Sequence, residues 1–172
     1  MSDADGTCEY VLDPDDPETW GGEEGDECYV DEEVLNEDGV WTCPHYAERD
    51  EKFCAFHLPV NKKDNEKVME KFHSAIEEGK NHFIGGKFGK MNISSDYPLE
   101  TINGRYIDFS HATFSEMVIW NGVDCETNIR FCGAEFNDQT EFRGSIFDGI
   151  ADFSGVSFTE SVSFGMSKFN EV

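Results

Sequence analysis

The chain has 172 residues, of which 37 are acidic and 13 basic, giving a formal charge of −24 and a pI near 4.3. That balance excludes a Lys/Arg-driven grip on nucleic acid or on an anionic membrane, while a hydrophobic share of 38% with 13% aromatics is too rich for a wholly disordered chain. The length suggests one domain, or one small domain with an appendage; no apolar run reaches the ~18–20 residues of a membrane span, and the start Met1-Ser2-Asp3-Ala4-Asp5 lacks a basic, apolar secretion signal, so a soluble, cytoplasmic chain is expected.

Residues 1–60 hold 19 acids and 2 bases, residues 61–80 hold 5 of each, and residues 81–172 hold 13 acids and 6 bases. The acidic excess therefore belongs mainly to the N-terminal third. Adaptation to a salt-rich cytoplasm accounts for it, because repulsion is screened within about 3 Å at 1 M salt. A surface for a cationic partner, or a decoy for nucleic acid, is the rival account.

Residues 1–27 are dense in Asp, Glu, Gly and Pro, with little to bury beyond Tyr10, Val11, Leu12 and Trp20. They read as a loop-rich segment that leans on the rest of the chain. In residues 28–57, the turn signal Asn36-Glu37-Asp38-Gly39 separates two strand-like pieces. Residues 1–57 thus form an acidic Cys/His head.

Four of the six cysteines, Cys8, Cys28, Cys43 and Cys54, lie in this head beside His45 and His57. In a cytosolic chain such clustering points to metal rather than to disulfides. The spacing C-x14-C-x10-C-x2-H selects Cys28, Cys43, Cys54 and His57, with Cys8 a rival first ligand and His45 a spare imidazole. Three thiolates and one imidazole with no open position describe a structural zinc site. A head this poor in apolar groups needs such a staple. A Cys/His nucleophilic pair has no third orienting residue, and an acidic surround raises thiol pKa, so no enzyme is expected. Cys125 reads as a small core residue.

Residues 58–80 are a linker and one helix over 62–78, with Asn61 as cap, Asp64 in the first turn, an apolar face of Val68, Phe72 and Ile76, and Gly79 as stop.

From residue 83 the pattern changes. Large residues fall at Phe109, Phe114, Trp120, Cys125, Phe131, Phe136, Phe142, Phe147, Phe153, Phe158, Phe164 and Phe169, in steps that alternate 5 and 6. No helix yields this period. Two residues before each stands a small or β-branched one, from Ile107 and Ala112 to Val162 and Ser167. Residues two apart share one face of a strand, so each repeat points one large and one small side chain inward. Four successive steps make four faces and close one coil, which stacks Phe109 on Phe131 and Phe153, and Trp120 on Phe142 and Phe164. Backwards, Phe83, Phe88, Ile93, Leu99 and Gly104 continue the ladder with one slip, giving about four coils over 83–172.

Segments such as Phe131-Cys132-Gly133-Ala134-Glu135-Phe136 and Phe153-Ser154-Gly155-Val156-Ser157-Phe158 resemble the pentapeptide-repeat family, in its Phe-rich subgroup. The resemblance implies a mainly β fold: a right-handed quadrilateral β-helix, here with a capping α-helix and a small zinc-binding head. The Trp41-x-Cys43-x10-Cys54-x2-His57 spacing resembles the plant WRC-type Cys3His finger. Similar short heads precede pentapeptide repeats in some archaeal, especially halophilic, proteins. The first spacer here is longer and that finger's basic residues are missing, so no direct nucleic-acid contact is expected. The family resemblance implies a non-enzymatic scaffold or protein-interaction module of unknown partner. The alternative it offers is a DNA mimic that binds a type II topoisomerase or another nucleic-acid-binding protein. The uncovered last coil, ending at Phe169, also suggests a second copy meeting it tail to tail.

Overall fold

The computed structural model describes residues 6–93, 95–96, 99 and 106–171. It is mainly β, with one α-helix. From residue 107 the chain winds through three regular turns of a β-solenoid whose four faces are parallel sheets. Register partners such as Phe114↔Phe136↔Phe158 and Val118↔Thr140↔Val162 are separated by one full coil, as the alternating steps require. Strands are only two residues long because each face ends in a turn after one inward pair.

The inward rings form columns. Phe83, Phe109, Phe131 and Phe153 stack with centroids 5.3, 5.3 and 5.1 Å apart. Phe88, Phe114, Phe136 and Phe158 stack at 5.1, 4.5 and 4.9 Å. Phe142 meets Trp120 edge-on at 5.7 Å and Phe164 face-on at 5.1 Å, and Phe147 stacks on Phe169 at 4.9 Å. Cys125 is buried below Phe147 in the same column. Burial fades toward the last rung: Phe147 is enclosed, Phe153, Phe158 and Phe164 are half-buried, and Phe169 is 42% exposed.

The first rung departs from the regular spacing. Phe88 pairs with Phe114, His82 with Asp108 and Leu99 with Cys125, each a longer step along the chain than the one from Phe114 to Phe136. A ladder stepping through Gly104 would instead set Phe88 beneath Phe109. The extra residues fall between Leu99 and Phe109, which are ten apart where Cys125 and Phe131 are six. Gly104 itself lies outside the described residues.

The helix, α1, spans Asn65–Glu77 and begins three residues later than the apolar spacing predicts. Asp64, not Asn61, is the cap: its carboxylate accepts from the Glu66 and Lys67 amides, so residues 60–62 form a separate 3-10 turn. At the other end Gly79, at φ 75, closes a Schellman motif with Gly79 N–H on Ile76 O and Lys80 N–H on Ala75 O. Phe72 of α1 and Phe56 of the head both meet Phe83 at 4.9 Å, so they lid the phenylalanine column. One continuous core runs from Cys8 to Phe147.

In the head, strand β1 (Val11–Leu12) pairs antiparallel with β2 (Trp41–Thr42), and a bridge joins Thr7 to Tyr46. Of the two strand-like pieces expected on either side of Asn36–Gly39, only the second, Trp41–Thr42, forms a strand, so the two do not make a hairpin. The turn at Asn36–Gly39 does form, with Gly39 at φ 78, but Asp31 caps a 3-10 turn at Glu32–Val34 where the first strand would stand. The partner of Trp41–Thr42 comes from much earlier in the chain.

Candidate metal centre

The β1–β2 ladder sets the centre. Along it Cys8, Leu12, Trp41, Cys43 and His45 are buried and Tyr10 half-buried, while Glu9, Val11, Thr42, Pro44 and Tyr46 face out. Backbone bonds from Cys8 N–H to His45 O (2.9 Å) and from Cys43 N–H to Tyr10 O (3.1 Å) hold both cysteines on the inner face. The other two donors come from one tight turn, in which the His57 and Leu58 amides donate to Cys54 O at 3.0 Å. The Lys63 ammonium ties that turn down by donating to the carbonyls of Ala55, Phe56 and Lys87.

Cys8, Cys43, Cys54 and His57 are all buried, and their donor atoms lie within 4.8 Å of one another. A tetrahedral ion bound at about 2.3 Å to sulfur and 2.0–2.1 Å to nitrogen sets its ligands about 3.8 Å (S to S) and about 3.5 Å (S to N) apart. The Cys43 and Cys54 sulfurs are 3.8 Å apart, and His57 Nδ1 lies 3.6 Å from the Cys8 sulfur and 3.2 Å from that of Cys54. The four residues fit such an ion. His57 Nε2 donates to Ile84 O at 2.9 Å, which leaves Nδ1 as the free lone pair facing the sulfurs. Tyr10 stacks on the imidazole at 4.0 Å, and the Cys54 amide donates to the Cys8 sulfur at 3.2 Å.

The thiols titrate as a unit. Hydrogen bonds from Cys43, then Cys54, His57 and the Cys54 amide, hold Cys8 far below an ordinary thiol despite burial. Its charge acts against its neighbours. Cys43 is driven well up by the Cys54 and Cys8 thiols and by burial. The thiol of Cys43 alone would lower Cys54, yet Cys8 and burial push it up to about 12. Each thiolate opposes the next, and a cation among the sulfurs would permit all three together.

One expected ligand, Cys28, is corrected, and of the two alternatives Cys8 joins the set while His45 does not. Cys28 is half-buried outside the donor set, its thiol raised chiefly by burial, because the segment after it forms a 3-10 turn rather than a strand. His45, the spare imidazole, also lies outside the ligand set. Its Nε2 donates to His82 O at 2.8 Å, its ring stacks on Phe83 at 5.3 Å, and burial takes its pKa down to about 4. The alternations Cys8-x-Tyr10-x-Leu12 and Trp41-x-Cys43-x-His45 mark two half-buried strands of equal length, but the sequence does not say that they pair with each other.

No family model, curated protein or solved structure matches the chain. Among the described residues no helix is long and apolar enough to cross a membrane.

Proposed function

We propose that the protein is a non-enzymatic interaction scaffold: a pentapeptide-repeat β-helix whose first rung is pinned by a structural zinc in the Cys8, Cys43, Cys54 and His57 set. One observation carries the reading. The donor turn is bonded directly to the coil, through His57 Nε2 to Ile84 O and the Lys87 amide to Phe56 O at 2.7 Å, so the centre serves as the stack's end-piece. A closed set of four protein ligands leaves no position for substrate. Elemental analysis of protein purified without chelator should find one zinc per chain. Metal-free protein with the same melting curve in the presence and absence of chelator would sink the idea.

The DNA-mimic alternative needs continuous outward rows of carboxylates. The outward positions read Lys87, Thr113, Glu135, Ser157 on one face and Asn92, Ile119, Glu141, Ser163 on the next, then Asp124, Ile146, Lys168 and Asp108, Arg130, Asp152. Among the described residues no strand face presents an unbroken acidic row, and the one acidic column, Glu116, Asp138 and Glu160 at the corner before Val118, Thr140 and Val162, is a single row where a duplex needs two. The acidic excess of the head instead supports a haloarchaeal-type, salt-rich cytoplasm as the setting. The half-exposed Phe169 supports tail-to-tail pairing of two copies. Sedimentation in high salt tests it: a dimer that Phe169→Lys makes monomeric supports pairing, and a wild-type monomer refutes it.

A further inference from the structure

Helix α1 sorts its charges by flank. Lys67 and Lys71, four apart, share the flank beside the head, whereas Glu66 and Glu70 share the next one, beside Lys90. The basic flank and the donor turn of the head enclose a groove of about 410 Å³, within the roughly 300–1,000 Å³ of ligand sites. Its floor is apolar and buried: Ala55 and Leu58 come from the turn that presents Cys54 and His57, and Val68 comes from α1.

Its rim is basic, on a chain of charge −24. Arg49, Lys62, Lys63, Lys67 and Lys71 face Glu48, Glu51 and Asp64. All three acids are engaged. Glu48 pairs with Lys71, Glu51 pairs with Lys62 at 3.3 Å, and Asp64 caps α1 by accepting from the Glu66 and Lys67 amides. The Lys63 ammonium donates to carbonyls only, and Arg49 meets only Asp50, at 3.8 Å with both side chains in water. Lys67 is exposed and has no carboxylate at ion-pair distance among the described residues.

Neighbouring cavities have the opposite balance. Glu66 and Glu70 outnumber Lys90 across α1, and beside Trp20 and Tyr29 stand Asp26, Glu27 and Glu135 with no lysine or arginine. An acidic chain repels acidic partners except where cations gather, and there the local field draws carboxylates in. The apolar floor adds room for an aliphatic side chain, which a free phosphate has no means to fill.

We propose that this groove docks an acidic segment of another protein. The segment's carboxylates meet Lys67 and Arg49 on the rim, and an aliphatic side chain between them lies on Ala55, Leu58 and Val68. The proposal rests on the interaction-scaffold reading and gives that scaffold a face and a class of partner. At 1 M salt screening acts within about 3 Å, so only charge pairs in contact count and the floor carries the rest.

The test uses the full metal-loaded chain at 1 M salt and the synthetic peptide Asp-Glu-Leu-Glu-Asp, read by amide chemical shifts. Saturable shifts at Leu58, Lys67 and Val68 are expected. A peptide with Ser in place of its Leu, and a chain with Lys67→Glu, should each give binding at least about fivefold weaker, because the first empties the floor and the second sets like charges together. The peptide Lys-Lys-Leu-Lys-Lys should leave these amides unmoved. Glu matches Lys as a helix former and position 67 is exposed, so the variant should keep the fold, which unchanged amide shifts along the coil check. Shifts confined to other surfaces, no shifts, equal binding of the basic peptide, or equal affinity in Lys67→Glu would overturn the groove. A native partner held equally by wild type and Lys67→Glu would overturn the groove yet leave the scaffold reading standing.

Discussion

In the coil, a residue's neighbours sit one regular turn away along the chain, so Phe136 finds Phe114 and Phe158 by the same step that brings Phe142 to Phe164. In the head, Cys8 meets Cys54 and His57 across gaps that no period announces. The coil repeats the same ring contacts from rung to rung, whereas the head, with few apolar groups, gathers its four buried donors at one place. Both regions nevertheless share one core, because Phe56 and Phe72 close the column that Phe83 begins.

Removing the metal should separate the two regions most sharply. Structural zinc in small domains contributes about 10–16 kcal/mol of apparent binding free energy. Chelation, or Cys54→Ser, should unfold the head and release rung one at Ile84 and Lys87 while the later rungs keep their exchange protection. Amide exchange checks this, and uniform protection across residues 6–93 after metal removal would break the comparison.

A truncation inside the stack should come next. Phe142→Ala, between Trp120 and Phe164, should cost about 3–5 kcal/mol in denaturant unfolding. Phe169→Ala, already 42% exposed, should cost about 1 kcal/mol. Equal losses at the two positions would mean that burial does not fade along the coil.

The seam between head and coil, where the Tyr29 amide donates to His111 Nε2 at 2.8 Å, should be pH-dependent. Burial holds His111 down to about 4, against an ordinary 6.5, although nearby Asp108 pulls the other way. The unfolded chain therefore binds more protons than the folded one between these values. Stability is full above pH 6.5 and falls as the pH drops toward 4, by about 2–3 kcal/mol from this residue. His111→Asn, which keeps the left-handed backbone at φ 54 accessible, should flatten that part of the stability curve. An unchanged slope would remove His111 from the seam.

The smallest effect should be at Cys28. Cys28→Ser should leave the metal content unchanged and shift stability by less than about 1 kcal/mol, whereas Cys8→Ser should abolish stoichiometric metal. The reverse result would exchange the first ligand.

The alternating 5 and 6 steps placed the four faces, the inward columns and the neighbours of Phe142, because in a solenoid each side chain's environment is set by spacing along the chain. The tight Cys54-x-x-His57 turn and the strand around Cys43 were legible for the same local reason. Helix α1 was legible in its face and its Gly79 stop, but not in its start, where Asp64 outcompetes Asn61 as the cap. Only the tertiary structure decided that residues 7–12 pair with 41–46, and so that Cys8 rather than Cys28 joins the donor set. It also decided that the first rung is longer than the others and that Tyr29 lies against Gly133 and Gly155. These are choices among distant partners with similar local propensity, settled by which pairing buries Leu12, Trp41 and Phe56 beneath the coil, and no local period carries that information.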